Sequence, residues 1–312
     1  MNAGIRRTFA ALFLLIAQGC AGVRQSVPPV SFEPGEIDTV LLLRAGADGR
    51  VIGVTTQVGD LALSQSMHDS TLVALQEASG YLGITLELPE VEMYGLGQAQ
   101  SAAAALALDS AIVMARRAYR GRGTFRPLPL DSKMTAMPRG LEAVAAATGV
   151  RHVAWAQTLA WRASESRRSA DALNLNARRH GMGIELGLVD AVDGRVVGYA
   201  KVLTDRDPAE PANVLALAEA AVFELATGRA VGVESFLPWP EGHQVRVRMQ
   251  DGRGMLGRIV RRDGFELIMG AKGDPEMRVP LASTQTLSTT AGSIFPYPIQ
   301  GRGEWWWDPG LF

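Results

Sequence analysis

The hydrophobic pattern of this chain changes its period at Pro238-Trp239-Pro240. Before this point, apolar residues at helical spacing alternate with short apolar strands. Beyond it, only short alternating strands follow, separated by Asp-Gly turns such as Asp251-Gly252 and Asp263-Gly264. Helical and strand periods favour different architectures, so this change predicts an α+β chain in two parts. We expect a mixed sheet with flanking helices over residues 37–237, followed by a small closed β-barrel over residues 243–290.

Three local signals make this prediction specific. Asp48-Gly49 lies between two apolar runs and predicts a hairpin turn. The spacing of apolar residues predicts a helix over Asp69–Ser79, with Asp69 or Ser70 as its N-cap. A later apolar helix is expected to end at Gly228, because glycine adopts the left-handed conformation that closes helices.

The N-terminus has the three zones of a secretory signal. Arg6 and Arg7 provide positive charge, an apolar run follows over residues 9–17, and Gly19 precedes Cys20. The run is shorter than the about 20 apolar residues that a transmembrane helix needs. Cys20 is also the one cysteine in the chain, so disulfide bonds within the chain are excluded and a core must provide its stability.

Residues 16–20, Ile-Ala-Gln-Gly-Cys, resemble the lipobox of bacterial lipoproteins. This resemblance implies a signal peptide over residues 1–19, lipidation such as palmitoylation at Cys20, and a tether over residues 20–36, which are rich in proline. Ala21 stands where an Asp usually retains such proteins in the inner membrane. The resemblance therefore implies an outer-membrane lipoprotein on the periplasmic face. A twin-arginine export signal is an alternative for residues 6–9.

The charge balance bears on the class of partner. The chain has 31 basic and 32 acidic residues, and loss of residues 1–19 removes two basic ones, which leaves about −3. A net negative charge does not favour nucleic acid as a partner. No second long apolar run follows, so we expect the body of the protein to be attached to the membrane through the N-terminal lipid alone.

Three segments of the first part carry a resemblance to known envelope proteins. They are ATGVRHVAWAQTL (147–159), GMGIELGLVDAVDGRVVGYAKV (181–202) and ALAEAAVFELATG (216–228). Their order is similar to that of the curli-secretion lipoprotein and the lipoprotein activators of penicillin-binding proteins, which have an α/β core. RMQDGRGMLGRI (248–259) resembles SH3-like or Sm-like barrels. Neither resemblance implies a catalytic residue.

Two stretches are rich in arginine. Residues 116–139 hold seven basic residues against Asp131 alone, and residues 162–179 hold five against two acidic ones. Such stretches often form solvated loops. Alternatively they bind an anionic partner, namely lipid headgroups, cell-wall polymer or an acidic protein. The arginines that we consider for this role are Arg120, Arg122, Arg126, Arg167 and Arg168.

The C-terminal segment 291–312 contains three consecutive tryptophans, Trp305, Trp306 and Trp307. Exposure of three tryptophan side chains to water is energetically unfavourable. They therefore either pack over an apolar groove of the protein, or they serve as anchors in a protein partner or at a membrane interface. Both interpretations stay open at this point.

No pattern of catalytic residues is evident in the sequence. Met67-His68-Asp69-Ser70 places three triad-type residues side by side, but adjacent side chains point in different directions. The four histidines lack metal-ligand spacing, and His152 lies in a predicted strand. We therefore expect no enzyme activity, no metal and no cofactor.

These observations predict a scaffold or accessory subunit of a cell-envelope assembly that binds protein partners. One alternative is an oligomeric secretion-channel lipoprotein that uses residues 151–203. The other is a hydrolase of envelope polymers whose site is built from distant residues.

Overall fold

Five strands form the main path of a first mixed sheet. The computed structural model describes residues 37–88, 96–119, 140–172, 178–270 and 275–297. The strands lie in the order β2-β1-β4-β5-β6, and a short strand, β3, also pairs with β1. Their bounds are β1 Thr39–Ile52, β2 Gln57–Gly59, β3 Thr85–Glu87, β4 His152–Ala163, β5 His180–Asp190 and β6 Arg195–Thr204.

Five helices occur in the described residues: α1 Leu61–Gly80, α2 Gln98–Tyr119, α3 Gly140–Thr148, α4 Glu165–Ala170 and α5 Pro211–Thr227. Helices α1 and α5 pack on one face of the first sheet, against residues such as Leu42 and Ile184. Helices α2 and α3 pack on the other face, against Leu41 and Trp155. The sheet is thus buried between two helical layers, and the mixed α+β prediction is confirmed.

The hairpin predicted at Asp48-Gly49 is wrong. Strand β1 continues through both residues and pairs in parallel with β4 along its length, and the chain turns only after Ile52. Asp48 instead accepts hydrogen bonds from the guanidinium of Arg50. Position 49 has no room for a side chain, because α1 begins beside it. A Cβ at Gly49 would lie 2.5 Å from the backbone N of Ser64.

Helix α1 begins eight residues earlier than the sequence pattern predicts. Its N-cap is Asp60, whose side chain accepts a hydrogen bond from the backbone N–H of Leu63 at 3.0 Å. Asp69 and Ser70 lie inside the helix, so the prediction of either as the N-cap is wrong. At the end of α5, by contrast, Gly228 adopts φ +66° as the left-handed C-cap, as predicted.

The side chain of Trp155 explains why β5 has a glycine at position 187. The register places Gly187 of β5 directly opposite Trp155 of β4. A Cβ on Gly187 would lie 2.1 Å from the indole ring of Trp155, so the ring occupies the space of the missing side chain. Trp155 is almost fully buried there beside Tyr199.

The second sheet is antiparallel and has the order β10-β9-β8-β7-β11-β12. Its strands are β7 Gln244–Met249, β8 Gly254–Asp263, β9 Glu266–Gly270, β10 Met277–Pro280, β11 Thr284–Thr289 and β12 Gly292–Phe295. Gly252 and Gly264 have positive φ in the predicted turns. Over the described ranges no pairing joins β10 to β12, so the closed SH3-like barrel is not confirmed.

The inner face of the second sheet packs against the first part of the chain. Phe223 of α5 lies 5.6 Å, between ring centroids, from each of Phe236, Phe265 and Phe295. One hydrophobic cluster therefore runs from α5 into the second sheet. The division of the chain into units at residues 237–243 stays a prediction.

A buried ion pair crosses the same interface. Arg262 of β8 donates to both carboxylate oxygens of Glu219 in α5, at 2.6 and 3.0 Å. It also donates to the backbone oxygens of Gly264 and Phe236. Burial raises the pKa of Glu219 to about 7, against the opposing effect of the Arg262 guanidinium. The pair joins α5 to the second sheet.

Candidate functional site

Three arginines lie together on the outer face of the second sheet. Strand β7 alternates buried Val245, Val247 and Met249 with exposed side chains, which include Arg246 and Arg248. On the neighbouring strand β8, Arg258 lies opposite Gln244. The alternation of a strand that is covered on one face therefore places all three guanidinium groups on the solvent side.

The neighbours of these arginines are apolar or uncharged. Leu256 lies directly opposite Arg246 and is 60% exposed. On the other side of β7, Thr286 lies opposite Arg248 and Ser288 opposite Arg246. We call this surface the arginine face and define it by Arg246, Arg248, Leu256, Arg258 and Thr286.

The arginine face is not neutralised by the part of the chain that the structure describes. Most other arginines of this region form ion pairs, for example Arg253 with Asp251 and Arg278 with Glu266. Arg246, Arg248 and Arg258 form none with any described carboxylate. Residues 243–297 contain eight basic and five acidic residues, a net charge of +3.

A cleft opens at the mouth of the inner face, between the β7–β8 turn and the start of β10. Its volume is about 340 Å³. Its apolar lining comes from Met249, Met255, Met277, Val279 and Pro280. Met277 is 41% exposed, so the cleft is open to a ligand. We call it the methionine cleft.

Arg253 and Arg278 line the methionine cleft beside these apolar groups. Arg278 also lies 3.3 Å from Asp263 and 2.8 Å from Glu266, and these neighbours raise its pKa. The cleft thus combines flexible apolar side chains with two cationic groups. Methionines adapt to differently shaped apolar partners because their side chains are unbranched and polarisable.

Of the residues that the sequence singled out, two lie in the described part. Arg167 and Arg168 are on α4, beyond the end of β4. Arg167 lies 3.4 Å from Asp171, whereas Arg168 is exposed and forms no ion pair with a described residue. Both are on the first part of the chain, whereas the arginine face belongs to the second sheet.

The remaining predicted residues lie outside the described ranges. They are Cys20, Arg120, Arg122, Arg126, Trp305, Trp306 and Trp307. Arg116, at the start of the first basic stretch, is described and donates from Nε and Nη2 to Glu185 of β5, at 2.8 and 2.6 Å. At least this arginine therefore supports the core.

The histidines with described surroundings show no catalytic arrangement. His68 contacts Asp69, its neighbour on α1, at 3.2 Å. Burial lowers the pKa of His152, which lies at the start of β4 opposite Asp190. Over the described ranges, no group of three His, Cys, Asp or Glu side chains could hold a metal ion. Of the helices in those ranges, none combines the length and apolar character needed to span a bilayer.

Sequence reasoning missed both the arginine face and the methionine cleft. The signal for the first was the segment QVRVRM, in which every second residue is apolar and the arginines share one face. The cleft had no local signal, because its methionines come from positions 249, 255 and 277 and meet only through strand pairing.

Comparisons with known proteins add a similarity to a solved structure. No family model matches the chain, and no curated protein matches it. Among solved structures, it is similar to the crystal structure of lipoprotein GNA1162 from Neisseria meningitidis, with 11% identity and a TM-score of 0.24. The match covers 55% of this chain and 84% of that chain. A TM-score this low carries no argument about the fold or the function of this protein.

Proposed function

We propose that this protein is a lipid-anchored accessory subunit of a cell-envelope assembly and that it binds a protein partner through the methionine cleft. The observation that carries this proposal is the cleft itself, about 340 Å³ in volume and lined by three methionines, with Arg253 and Arg278 beside them. A volume of this size accommodates one or two apolar side chains of a partner. Anchors of this kind provide most of the affinity in protein interfaces.

The two arginines add specificity to this apolar site. Arg253 and Arg278 each have a nearby carboxylate, so their charges are held in place rather than free. A partner with an acidic side chain next to its apolar anchor would compete for these guanidinium groups. Cationic groups around an apolar centre orient a partner and accelerate its association.

The N-terminus supports the lipid anchor. Cys20 follows an apolar run of the length that signal peptides have, and it is the single cysteine of the chain. Ala21 after Cys20 supports export to the outer membrane, with the body of the protein on the periplasmic side. The SH3-like barrel belongs to this proposal too. The consecutive antiparallel pairing of β7 to β10 supports it, as does the register shift between Ile259 and Arg261 of β8.

Crosslinking in intact cells tests the proposal. The chain is tagged on an exposed described position, crosslinked, and purified from the membrane fraction. We expect a small stoichiometric set of envelope proteins to copurify with the wild-type chain. In the variant Met255→Glu/Met277→Glu this set should be lost, because two carboxylates in the cleft prevent burial of an apolar anchor.

The matched control is Val58→Glu, at another exposed apolar position on β2 of the first sheet. It should retain the copurifying proteins. Retention of the partner by the cleft variant, with unchanged folding by circular dichroism, would contradict the role of the cleft. Replacement of Cys20 by Ala should abolish the incorporation of labelled palmitate into the chain, and retained labelling would contradict the lipid anchor.

A further inference from the structure

We propose that the arginine face binds the phosphate groups of an anionic phospholipid bilayer and orients the body of the protein on that membrane. The inference depends on the proposed lipid anchor only for the closeness of the bilayer. The face itself is described by residues that neither the lipid-anchor prediction nor the methionine cleft uses.

Geometry supports the choice of phosphate as ligand. Arg246 and Arg248 are two residues apart on one strand, and Arg258 is diagonal to Arg246 on the next strand. Neighbouring positions of this kind are about 5–8 Å apart across and along a sheet. Each guanidinium can donate two hydrogen bonds to one phosphate. Thr286 and Ser288, opposite Arg248 and Arg246, add hydroxyl donors on the same face.

Charge supports the same choice. Like charges on adjacent positions of a sheet destabilise each other, and acidic neighbours normally relieve this. The outer positions of β7, β8 and β11 beside these arginines carry Gln244, Gly254, Leu256, Thr286 and Ser288, none of which is acidic. The face is therefore complementary to a ligand that brings its own negative charge.

Leu256 favours a bilayer over a soluble acidic polymer or protein loop. This leucine lies directly opposite Arg246 and is 60% exposed on a face that is otherwise polar. A leucine among cationic groups can enter the boundary between headgroups and acyl chains while the arginines contact phosphates.

Vesicle cosedimentation tests the inference. A chain that begins at Ala21 retains all described residues and lacks the predicted signal peptide and the lipid. We expect it to bind phosphatidylethanolamine vesicles that contain phosphatidylglycerol, and to lose binding as salt is raised. It should not bind vesicles of phosphatidylcholine alone.

The variant Arg246→Gln/Arg248→Gln should bind the anionic vesicles about 30-fold more weakly, since each arginine near such a surface contributes about a factor of five. Leu256→Ser should weaken binding roughly tenfold, and this loss should persist at higher salt. The matched control is Arg168→Gln/Arg179→Gln, which removes two exposed arginines from the first part of the chain. It should bind like the wild type.

Several results would overturn the inference. Equal losses in the test and control variants would show that total charge alone attracts the chain. Absence of binding to anionic vesicles would also overturn it. So would binding to soluble polyglutamate as tight as binding to vesicles, with Leu256→Ser weakening neither, because this would indicate an acidic polymer or protein as the ligand. Partner capture in cells depends on the methionine cleft, so it reports separately on the proposed function.

Discussion

The two sheets differ in how many of their faces are covered. Helices cover both faces of the first sheet, and β5 is buried along almost all of its length. The second sheet is covered on its inner face by α5 and the phenylalanine cluster, while its outer face carries Arg246, Arg248 and Leu256 in solvent. Among the described residues, β7 and β8 of the second sheet leave Arg246, Arg248, Leu256 and Arg258 exposed side by side. We therefore expect recognition on these two strands and a supporting role for the first sheet.

Their charged groups differ in the same way. In the first sheet, Glu185 and Asp190 of β5 are buried, and they pair with Arg116 and Arg151. A buried carboxylate must be paired because an isolated buried charge is very unfavourable. The exposed arginines of the second sheet need no such partner. The arginines that pair with buried carboxylates support the core, whereas Arg246, Arg248 and Arg258 pair with no described carboxylate and are available to a ligand.

The largest effect is expected where the two regions meet. Arg262→Ala removes the partner of buried Glu219 and two hydrogen bonds to backbone oxygens. We expect a loss of about 3–5 kcal/mol in the free energy of unfolding, measured by urea denaturation. The double variant Arg262→Ala/Glu219→Ala should be less destabilised than the single one, because no unpaired carboxylate remains. Equal destabilisation of both variants would contradict the importance of the ion pair.

The second-largest loss of stability is expected from a change in the tight packing of the first sheet. Gly187→Ala places a Cβ 2.1 Å from the ring of Trp155, so the indole must shift. We expect this variant to lose about 1–3 kcal/mol in the free energy of unfolding. Gly59→Ala on β2 is the control, because nothing lies within 4 Å of its Cβ, and it should change stability by less than about 0.5 kcal/mol. Thermal unfolding followed by circular dichroism compares the two, and similar melting temperatures would count against this packing.

A smaller effect is expected at the start of α1. Asp60→Ala removes the N-cap and its ion pair with Arg162, and should cost about 1 kcal/mol. The hydrogen bond from Leu63 holds the pKa of Asp60 below its ordinary value of 3.8. The charged cap therefore contributes stability above that pH and loses it as the pH falls through the lower folded-state pKa. The free energy of unfolding is measured for the wild type and the variant from neutral pH into acid. The difference between the two free energies should become smaller as the pH falls. A difference that does not change with pH would exclude the charge of Asp60 as its cause.

The smallest effect is expected on the arginine face. Arg246→Gln and Arg248→Gln remove no described ion pair, so each should change the free energy of unfolding by less than about 0.5 kcal/mol. Arg116→Gln, which breaks the contact with buried Glu185, should cost clearly more in the same denaturation experiment. If the face variants were the more damaging ones, the distinction between structural and binding arginines would fail.

Local sequence signals predicted the elements that depend on local physics. The glycine at 228 closes α5 because its conformation needs no tertiary partner. The Asp-Gly turns at positions 251–252 and 263–264 also formed as predicted, with Gly252 and Gly264 at positive φ. Alternation of apolar residues located β7 and β8 because each strand has one covered face.

Tertiary contacts overrode the same kind of signal at Asp48-Gly49. This pair has the composition of a turn, yet β4 pairs with β1 through both residues, and α1 packs closely on Gly49. A similar conflict arose at α1, where Asp60 rather than Asp69 or Ser70 caps the helix. Apolar spacing located the C-terminal half of that helix but not its first two turns, which are largely exposed.

The sequence by itself thus determined the α+β class, the change to an all-β region after residue 240, and the arginines that alternate along β7. Only the tertiary structure decided which arginines form no ion pair with a described residue, which methionines meet in one cleft, and which residue pairs with Glu219. The physical reason is sequence separation: turns and caps depend on residues a few positions apart, whereas Met249 and Met277, or Glu219 and Arg262, meet only when distant strands and helices pack together.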